Sequence, residues 1–229
     1  MTSETLAVPR APFDIEEPWT VPKECTPVRL RRAGDASVPR LATTVAAWFD
    51  DDFLSILFCA ADDRLVATHF AHDAPLYEQD VVEAFLAPAD AHEYFEIEVS
   101  PRGTVFDARI HSPDGVRATM SADRGWNCEG LVAAVRTVME GGLSVRHSGG
   151  PEVRPPFSNG AMTVDTLLRL PFASLGRPTP SPGETWRGNF FRIDRHPQLG
   201  DEYTAWQPTL RIPADFHVTA AFGTLRFAS

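Results

Sequence analysis

The feature that most constrains the fold of this chain is a succession of about ten short, strand-like segments separated by turn residues. Segment 94–100 shows the pattern most clearly, because Phe95, Ile97 and Val99 alternate with more polar residues and would share one face of a strand. Twenty prolines among 229 residues favour short elements over long helices. The sequence therefore predicts an all-β fold, an antiparallel β-sandwich that forms a single domain.

The predicted strands leave a proline-rich N-terminal segment outside the main body. Residues 1–40 are predicted to form an arm packed on the body, and residues 41–229 to form the sandwich. Strands are expected at 41–49, 53–61, 65–70, 80–86, 94–100, 105–111, 131–139, 162–170, 186–194 and 221–227.

Charge and hydropathy exclude several classes of partner. The net charge is −10, and no cluster of lysine and arginine would track a phosphate backbone, so nucleic acid is not an expected partner. No stretch approaches the roughly 20 apolar residues of a spanning helix, so membrane insertion is not expected. The first residues lack the features of a signal peptide, and the compartment stays open. Other domains or proteins remain candidate partners.

One stretch, residues 75–85, combines an aromatic residue with carboxylates. If it continues as a strand from Asp80, Glu83 lies on the same face as Val81 and Phe85. A carboxylate beside an aromatic ring can bind a sugar, because its oxygens accept hydroxyl hydrogens while the ring stacks on C–H groups. The alternative is a structural ion pair between Glu83, Glu96 or Glu98 and Arg109 on a neighbouring strand.

Catalytic and metal signatures are weak in this sequence. The chain has no nucleophile elbow, P-loop, dinucleotide fingerprint or zincin motif, so no enzymatic activity is predicted. Acidic turns offer oxygen ligands suited to calcium, with Asp62 and Asp73 as the candidate ligands. His69 and His72 alone fall short of a closed zinc site.

Four segments together resemble a known family. They are Tyr-Glu-Gln-Asp-Val-Val-Glu-Ala-Phe at 77–85, Asn-Phe-Phe-Arg-Ile-Asp at 189–194, Ala-Trp-Gln-Pro-Thr at 205–209, and Asp-Phe-His with Ala-Phe-Gly-Thr-Leu-Arg-Phe within 215–227. In this order they are similar to the family 9 carbohydrate-binding modules and their relatives among the DOMON-type domains. The resemblance covers approximately residues 40–227. It implies an immunoglobulin-like, jelly-roll-like sandwich that binds an oligo- or polysaccharide, often at a chain end, without catalysis.

The same resemblance implies a set of site residues. Tyr77 and Phe216 match the family's two clamping tryptophans, Glu83 matches its ligand-binding glutamate, and Asn189 and Arg192 lie on its asparagine-containing strand. The family's ligand-contacting arginine falls at Glu98, which is a reversal of charge, and its late asparagine is not reproduced before Phe216. Members also bind structural calcium.

Two alternatives to sugar binding stay open. A DOMON-like domain could hold a non-covalent haem, for which Met120, Met139, Met162 and His217 are the candidate axial ligands. The third candidate is a structural or interaction module that keeps the sandwich and a vestigial sugar pocket.

Overall fold

The computed structural model describes residues 4–139, 144–145 and 162–229. In this part of the chain the secondary structure consists of fifteen strands and three short 3-10 helices. The strands are β1 (Thr5–Pro9), β2 (Val28–Arg29), β3 (Arg31–Arg32), β4 (Thr43–Phe49), β5 (Phe53–Asp62), β6 (Val81–Ala87), β7 (Glu93–Val99), β8 (Val105–His111), β9 (Ser121–Asp123), β10 (Val132–Met139), β11 (Ser144–Val145), β12 (Met162–Pro171), β13 (Thr185–Asp194), β14 (Glu202–Ala205) and β15 (Gly223–Ala228). The 3-10 helices are Leu76–Glu78, Arg117–Thr119 and Thr219–Ala221.

The strands form two sheets, which we call the front sheet and the back sheet. The front sheet has the order β1-β15-β13-β6-β7-β8-β9, with β14 paired to β13 and β3 paired to β14. The back sheet has the order β11-β10-β12-β5-β4-β2. Every strand pairing is antiparallel except that of β1 with β15. The predicted antiparallel β-sandwich is therefore confirmed. None of the helices in the described residues is long and apolar enough to cross a membrane.

The main core fills the space between the two sheets. Strand β6 contributes Val82, Ala84 and Leu86, as its alternation predicts, and these residues pack with apolar side chains of the back sheet. Aromatic rings close one end of this core, where Trp186 and Phe227 meet edge to face with centroids 4.9 Å apart.

The front sheet also buries apolar side chains on its outer face. This second cluster includes Val81, Phe85, Tyr94, Phe106, Ala108, Ile110, Phe191, Phe216 and Phe222. Phe216 and Phe222 come from the segment between β14 and β15, which folds back over the sheet. Because that segment covers only part of the outer face, it leaves room for a cavity beside it.

The strand predicted at 65–70 is wrong, because side chains take over the role of a neighbouring strand. The N–H of Val66 donates to the carboxylate of Asp80, and the Asp80 N–H donates back to the Val66 carbonyl at 2.9 Å. The N–H of His69 donates to the side-chain oxygen of Gln79 at 2.8 Å. The segment is thus an irregular loop in which side chains satisfy the amides of Val66, Thr68 and His69.

The N-terminal residues contribute to both sheets. Strand β1 extends the front sheet beside β15, β3 pairs with β14 of the same sheet, and β2 extends the back sheet beside β4. Between them, Phe13 and Trp19 pack against the outer face of the back sheet. The guanidinium groups of Arg169 and Arg136 lie over these two rings, 3.9 and 4.8 Å from their centroids.

Candidate functional site

A cavity of about 690 Å³ opens on the outer face of the front sheet. Strands β6, β7 and β8 form its floor, and the segment 211–217 forms one wall. Tyr77 and residues at the end of β13 and in β14 complete the rim. A cavity of this size lies within the usual range for small-molecule sites.

Three glutamates form the deepest part of this floor. Glu83 on β6 lies directly opposite Glu98 on β7, and Glu96 lies two residues away on the same face. Glu83 and Glu98 are each 2% exposed to solvent, and Glu96 is 6% exposed. One carboxylate oxygen of each residue lies within 4.8 Å of the other two. We call Glu83, Glu96 and Glu98 the glutamate floor.

The electrostatic state of the glutamate floor is unusual for carboxylates. Burial raises the pKa of Glu96 to about 7. Burial, reinforced by repulsion from the neighbouring carboxylates, holds the pKa values of Glu83 and Glu98 well above their usual range. The Oε2 atom of Glu98 is buried without a hydrogen-bond partner.

The nearest basic side chain does not neutralise this floor. His217 lies with Nε2 3.7 Å from Oε1 of Glu96, and its Nδ1 is 2.7 Å from the hydroxyl of Tyr94. Burial lowers the pKa of His217 to about 4, so the imidazole is neutral at pH 7. A neutral ring that accepts a hydrogen bond from the Tyr94 hydroxyl at Nδ1 carries its own proton on Nε2, on the side of Glu96.

Arginines line the upper part of the cavity. Arg117 pairs with Asp215 at 3.1 Å, and Arg124 lies 5.5 Å from the centroid of the Phe106 ring. Arg195 and Arg211 also reach the cavity. The site therefore has an acidic base and a basic rim, both of which can hydrogen-bond to hydroxyl groups.

The two predicted aromatic residues meet at this cavity. Tyr77 is 45% exposed on the rim, and its carbonyl accepts a hydrogen bond from Arg195. Phe216 lies on the wall formed by segment 211–217, is 7% exposed and stacks on Phe191 with centroids 4.2 Å apart. Tyr203, which the sequence reasoning did not select, also lines the cavity and contacts Phe216 edge to face.

The structure places Asn189 and Arg192 outside this cavity. The side-chain amide of Asn189 hydrogen-bonds to the backbone of Gln207. Its Oδ1 accepts from the Gln207 N–H at 2.9 Å, and its Nδ2 donates to the Gln207 carbonyl at 2.8 Å. Arg192 projects from β13 into the space between the sheets and pairs with Asp62 at 2.8 Å and Asp194 at 3.2 Å. Neither side chain is positioned to contact a ligand in the cavity.

The expected ion pair between Arg109 and the glutamates is wrong. Arg109 is directly opposite Phe95 across the β7–β8 pair, so it lies on the face of the sheet that the glutamate floor does not share. It donates instead to Glu93 at 2.6 Å, near solvent. The sequence showed that Glu96 and Glu98 share a face, and the pairing of β6 with β7 would have placed Glu83 beside them. The rim arginines lie in irregular segments and gave no such signal.

The candidate metal ligands have separate surroundings. Asp62 has a cationic partner in Arg192. Asp73 lies 3.1 Å from Nδ1 of His72, whose Nε2 is 3.6 Å from Asp107, and these three could share one ion. His69 instead contacts Glu78 at 3.2 Å. Calcium binding stays a prediction.

Two of the candidate haem ligands line the cavity. The Met120 sulfur and the His217 Nδ1 both contact the Tyr94 hydroxyl, at 3.6 and 2.7 Å. Met139 ends β10 and Met162 begins β12, and the two are paired in the back sheet. Haem binding stays a prediction.

Comparisons with known proteins show which solved structures share this fold. No protein-family model matches this sequence, and no curated protein matches it. Solved structures do match. A "putative carbohydrate-binding protein" from Bacteroides uniformis ATCC 8492 has a TM-score of 0.65 at 15% identity, over 99% of this chain and 100% of the other.

Two further matches are family 9 carbohydrate-binding modules from Caldicellulosiruptor kristjanssonii. The module in complex with cellotriose has a TM-score of 0.61 at 12% identity and covers 99% of this chain and 94% of the other. The module in complex with glucose has a TM-score of 0.60 at 11% identity, over 99% and 96%. The predicted resemblance to family 9 modules is thus confirmed for the fold.

Proposed function

We propose that this domain binds carbohydrate, without catalysis, in the cavity above the glutamate floor. The observation that carries the proposal is the convergence of Tyr77, Phe216 and Glu83 on one cavity, in a fold shared with modules solved in complex with cellotriose and glucose. Tyr77 and Glu83 lie in one stretch of the chain, and the fold brings Phe216 to them from a segment more than 100 residues later.

The chemistry of the lining suits a polyhydroxylated ligand. The aromatic rings of Tyr77, Tyr203 and Phe216 offer apolar faces to sugar C–H groups. The glutamate floor accepts hydroxyl hydrogens, and rim arginines such as Arg124 donate to hydroxyl oxygens. The ring of Phe216 is mostly covered by Phe191, so Tyr77 supplies the more open aromatic surface.

The arrangement of the carboxylates favours binding over hydrolysis. A glycosidase places an acid and a nucleophile or base on either side of the scissile bond. Glu83 and Glu98 are neighbours on paired strands and project side by side from the same face. Side chains in that relation cannot flank a sugar that rests on top of them.

A glycan array followed by calorimetry on the hits tests the proposal. We expect binding of a defined glycan, weakened at least tenfold by Glu83→Gln, with no reducing sugar released during prolonged incubation. Phe70→Ala is the matched aromatic control, because Phe70 is 69% exposed and does not line the cavity.

Binding that survives Glu83→Gln and Tyr77→Ala unchanged would contradict the site. An array without hits, together with no heat on titration of cello-oligosaccharides, would contradict the function. Release of reducing ends would contradict its non-catalytic character.

A further inference from the structure

The glutamate floor differs from every other buried carboxylate in the described part of the chain. Each of the others accepts a hydrogen bond from an arginine or from a backbone amide. They are Asp62, Asp80, Asp107, Asp165, Asp194 and Glu202. Among the described residues, no arginine or lysine forms an ion pair with Glu83, Glu96 or Glu98. Arg117, Arg124 and Arg195 attract these carboxylates from the upper part of the cavity without contacting them. Three clustered acids without a paired cation are costly to bury in the ionised form unless a cation joins them.

We propose that Glu83, Glu96 and Glu98 bind one calcium ion at the base of the cavity. One oxygen from each lies within 4.8 Å of the others, and small side-chain rotations would bring all three to the calcium–oxygen distance of about 2.3–2.6 Å from one ion. A single ion can therefore contact all three side chains. Calcium is preferred to magnesium because it accepts a variable number of oxygen ligands, whereas magnesium demands a near-ideal octahedron.

A second observation points to a ligand at the same place. Glu98 is 2% exposed, lines the cavity, and has a buried Oε2 atom without any hydrogen-bond partner. A buried oxygen left without a partner is destabilising, and a charged one more so. A metal ion would use that lone pair. The neutral imidazole of His217 sits 3.7 Å from Glu96, which is too far for a close hydrogen bond.

The open coordination positions would face the cavity. Calcium takes about 6–8 oxygen ligands, and three carboxylates leave some of these for water or for a bound molecule. If the cavity binds sugar as proposed above, a pair of vicinal hydroxyls can fill them. This last step rests on the proposed function, whereas the metal site itself does not.

Calorimetric titration of calcium into the chelator-treated full chain, without sugar, tests the metal site directly. We expect one ion per chain, a rise in melting temperature with calcium, and at least tenfold weaker binding in Glu98→Gln and Glu83→Gln. The matched control is Glu93→Gln, because Glu93 lies on the same strand but points to solvent on the other face. A second control, Asp73→Asn, removes a ligand of the other candidate group.

The outcomes separate this proposal from the proposed function. No heat and no thermal shift with calcium would overturn the metal site, even if a glycan still bound in chelator. Calcium binding that is lost in Asp73→Asn but kept in Glu98→Gln would overturn it too. Binding of glucosamine in chelator, with no response to calcium, would assign the missing positive charge to a ligand amine instead. Calcium binding that requires the glutamates, with a blank glycan array, would support the metal site and contradict sugar binding.

If Glu98→Gln fails to fold, judged by circular dichroism, Glu96→Gln serves as the second variant. Unchanged calcium affinity in a folded Glu96→Gln protein would also overturn the three-glutamate site.

Discussion

Two clusters of buried acids occupy the two faces of the front sheet, and they differ in how their charge is balanced. Between the sheets, Asp62 and Asp194 share the guanidinium of Arg192, and Arg40 donates to Asp194 as well. On the outer face, the glutamate floor has no arginine or lysine partner among the described residues. The inner cluster is complete without any ligand, whereas the outer one needs a proton, a metal ion or a bound molecule. The difference separates groups that stabilise the sandwich from groups that are available for binding.

The largest expected effect lies in the inner cluster. Arg192→Met should lower the free energy of unfolding by about 3–5 kcal/mol, because it leaves Asp62 buried without a counter-charge and Asp194 with Arg40 alone. Urea denaturation measures the change. The control is Arg109→Met, which removes a solvent-exposed pair with Glu93 and should cost at most about 1 kcal/mol. Equal effects of the two substitutions would mean that the inner cluster is not a special source of stability.

The sequence predicted the position of Glu83 in the outer cluster correctly, but it did not predict where the arginines lie. Alternation along β6 placed Val82 towards the core and Glu83 on the opposite face, and both positions are as expected. Alternation shows which residues of one strand share a face. Which residues of the neighbouring strand lie on that same face depends on the register of the pair. Arg109 was therefore assigned to the wrong face, and Arg192 was taken for a ligand-binding residue although it points between the sheets.

The loops were the least predictable part of the site. Phe216 and Tyr77 came from the family resemblance, and both line the cavity. Arg117 and Arg124 lie in or beside short irregular elements, where no period marks an inward side chain. The segment 65–70 has the composition of a strand, but its amides bond to the side chains of residues 79 and 80. Nothing in its own pattern distinguishes that outcome from a strand.

The second prediction is that a substitution in the outer cluster weakens binding without lowering stability, the opposite of what is expected for the inner cluster. At a pH where the Glu83 carboxylate is ionised, Glu83→Gln should weaken glycan binding by about 10- to 100-fold, the cost of losing a charge-assisted hydrogen bond of about 1.5–3 kcal/mol. The same substitution should leave the stability of the metal-free protein unchanged or raise it, because it removes one of three repelling acids. Calorimetry and urea denaturation on one preparation give both numbers. A folded variant with wild-type affinity, or a loss of stability as large as that of Arg192→Met, would contradict the division between the clusters.

The third prediction concerns pH and the metal-free protein in chelator. Since the pKa of Glu96 is raised to about 7, and the other two glutamates lie well above their usual range, the folded state binds more protons than the unfolded state between about pH 4.5 and 7. The contribution of these groups to the free energy of unfolding is at its maximum below their pKa values in the unfolded state. It is lost as the pH rises through their pKa values in the folded state. His217 acts in the opposite sense, since its pKa is lowered to about 4, but only below its usual value of 6.5.

The useful window is therefore pH 6.5 to 8, where His217 is neutral in the folded state and its remaining titration in the unfolded state is common to wild type and variant. The free energy of unfolding should fall across it, by up to about 1.4 kcal/mol per pH unit for each group that is still protonated only in the folded state. Asp80, whose pKa burial raises to about 7, adds to the slope in the lower part of this window. The test is the difference between wild type and Glu96→Gln, because Asp80 is common to both. Parallel slopes would show that the floor does not titrate as described.

The smallest expected effect is at the rim. Tyr77→Ala should weaken glycan binding by about 2- to 10-fold, since one aromatic stacking contact is worth about 0.5–1.5 kcal/mol. Tyr77→Phe keeps the ring and should bind nearly as well as wild type, and Phe70→Ala should have no effect because Phe70 lies away from the cavity. Tyr77 is preferred to Phe216 for this test, because Phe216 also packs on Phe191 and its loss would disturb the outer cluster. If Tyr77→Phe and Tyr77→Ala weaken binding equally, the hydroxyl rather than the ring carries the contact, and the rim would then bind sugar through polar groups in the same way as the floor.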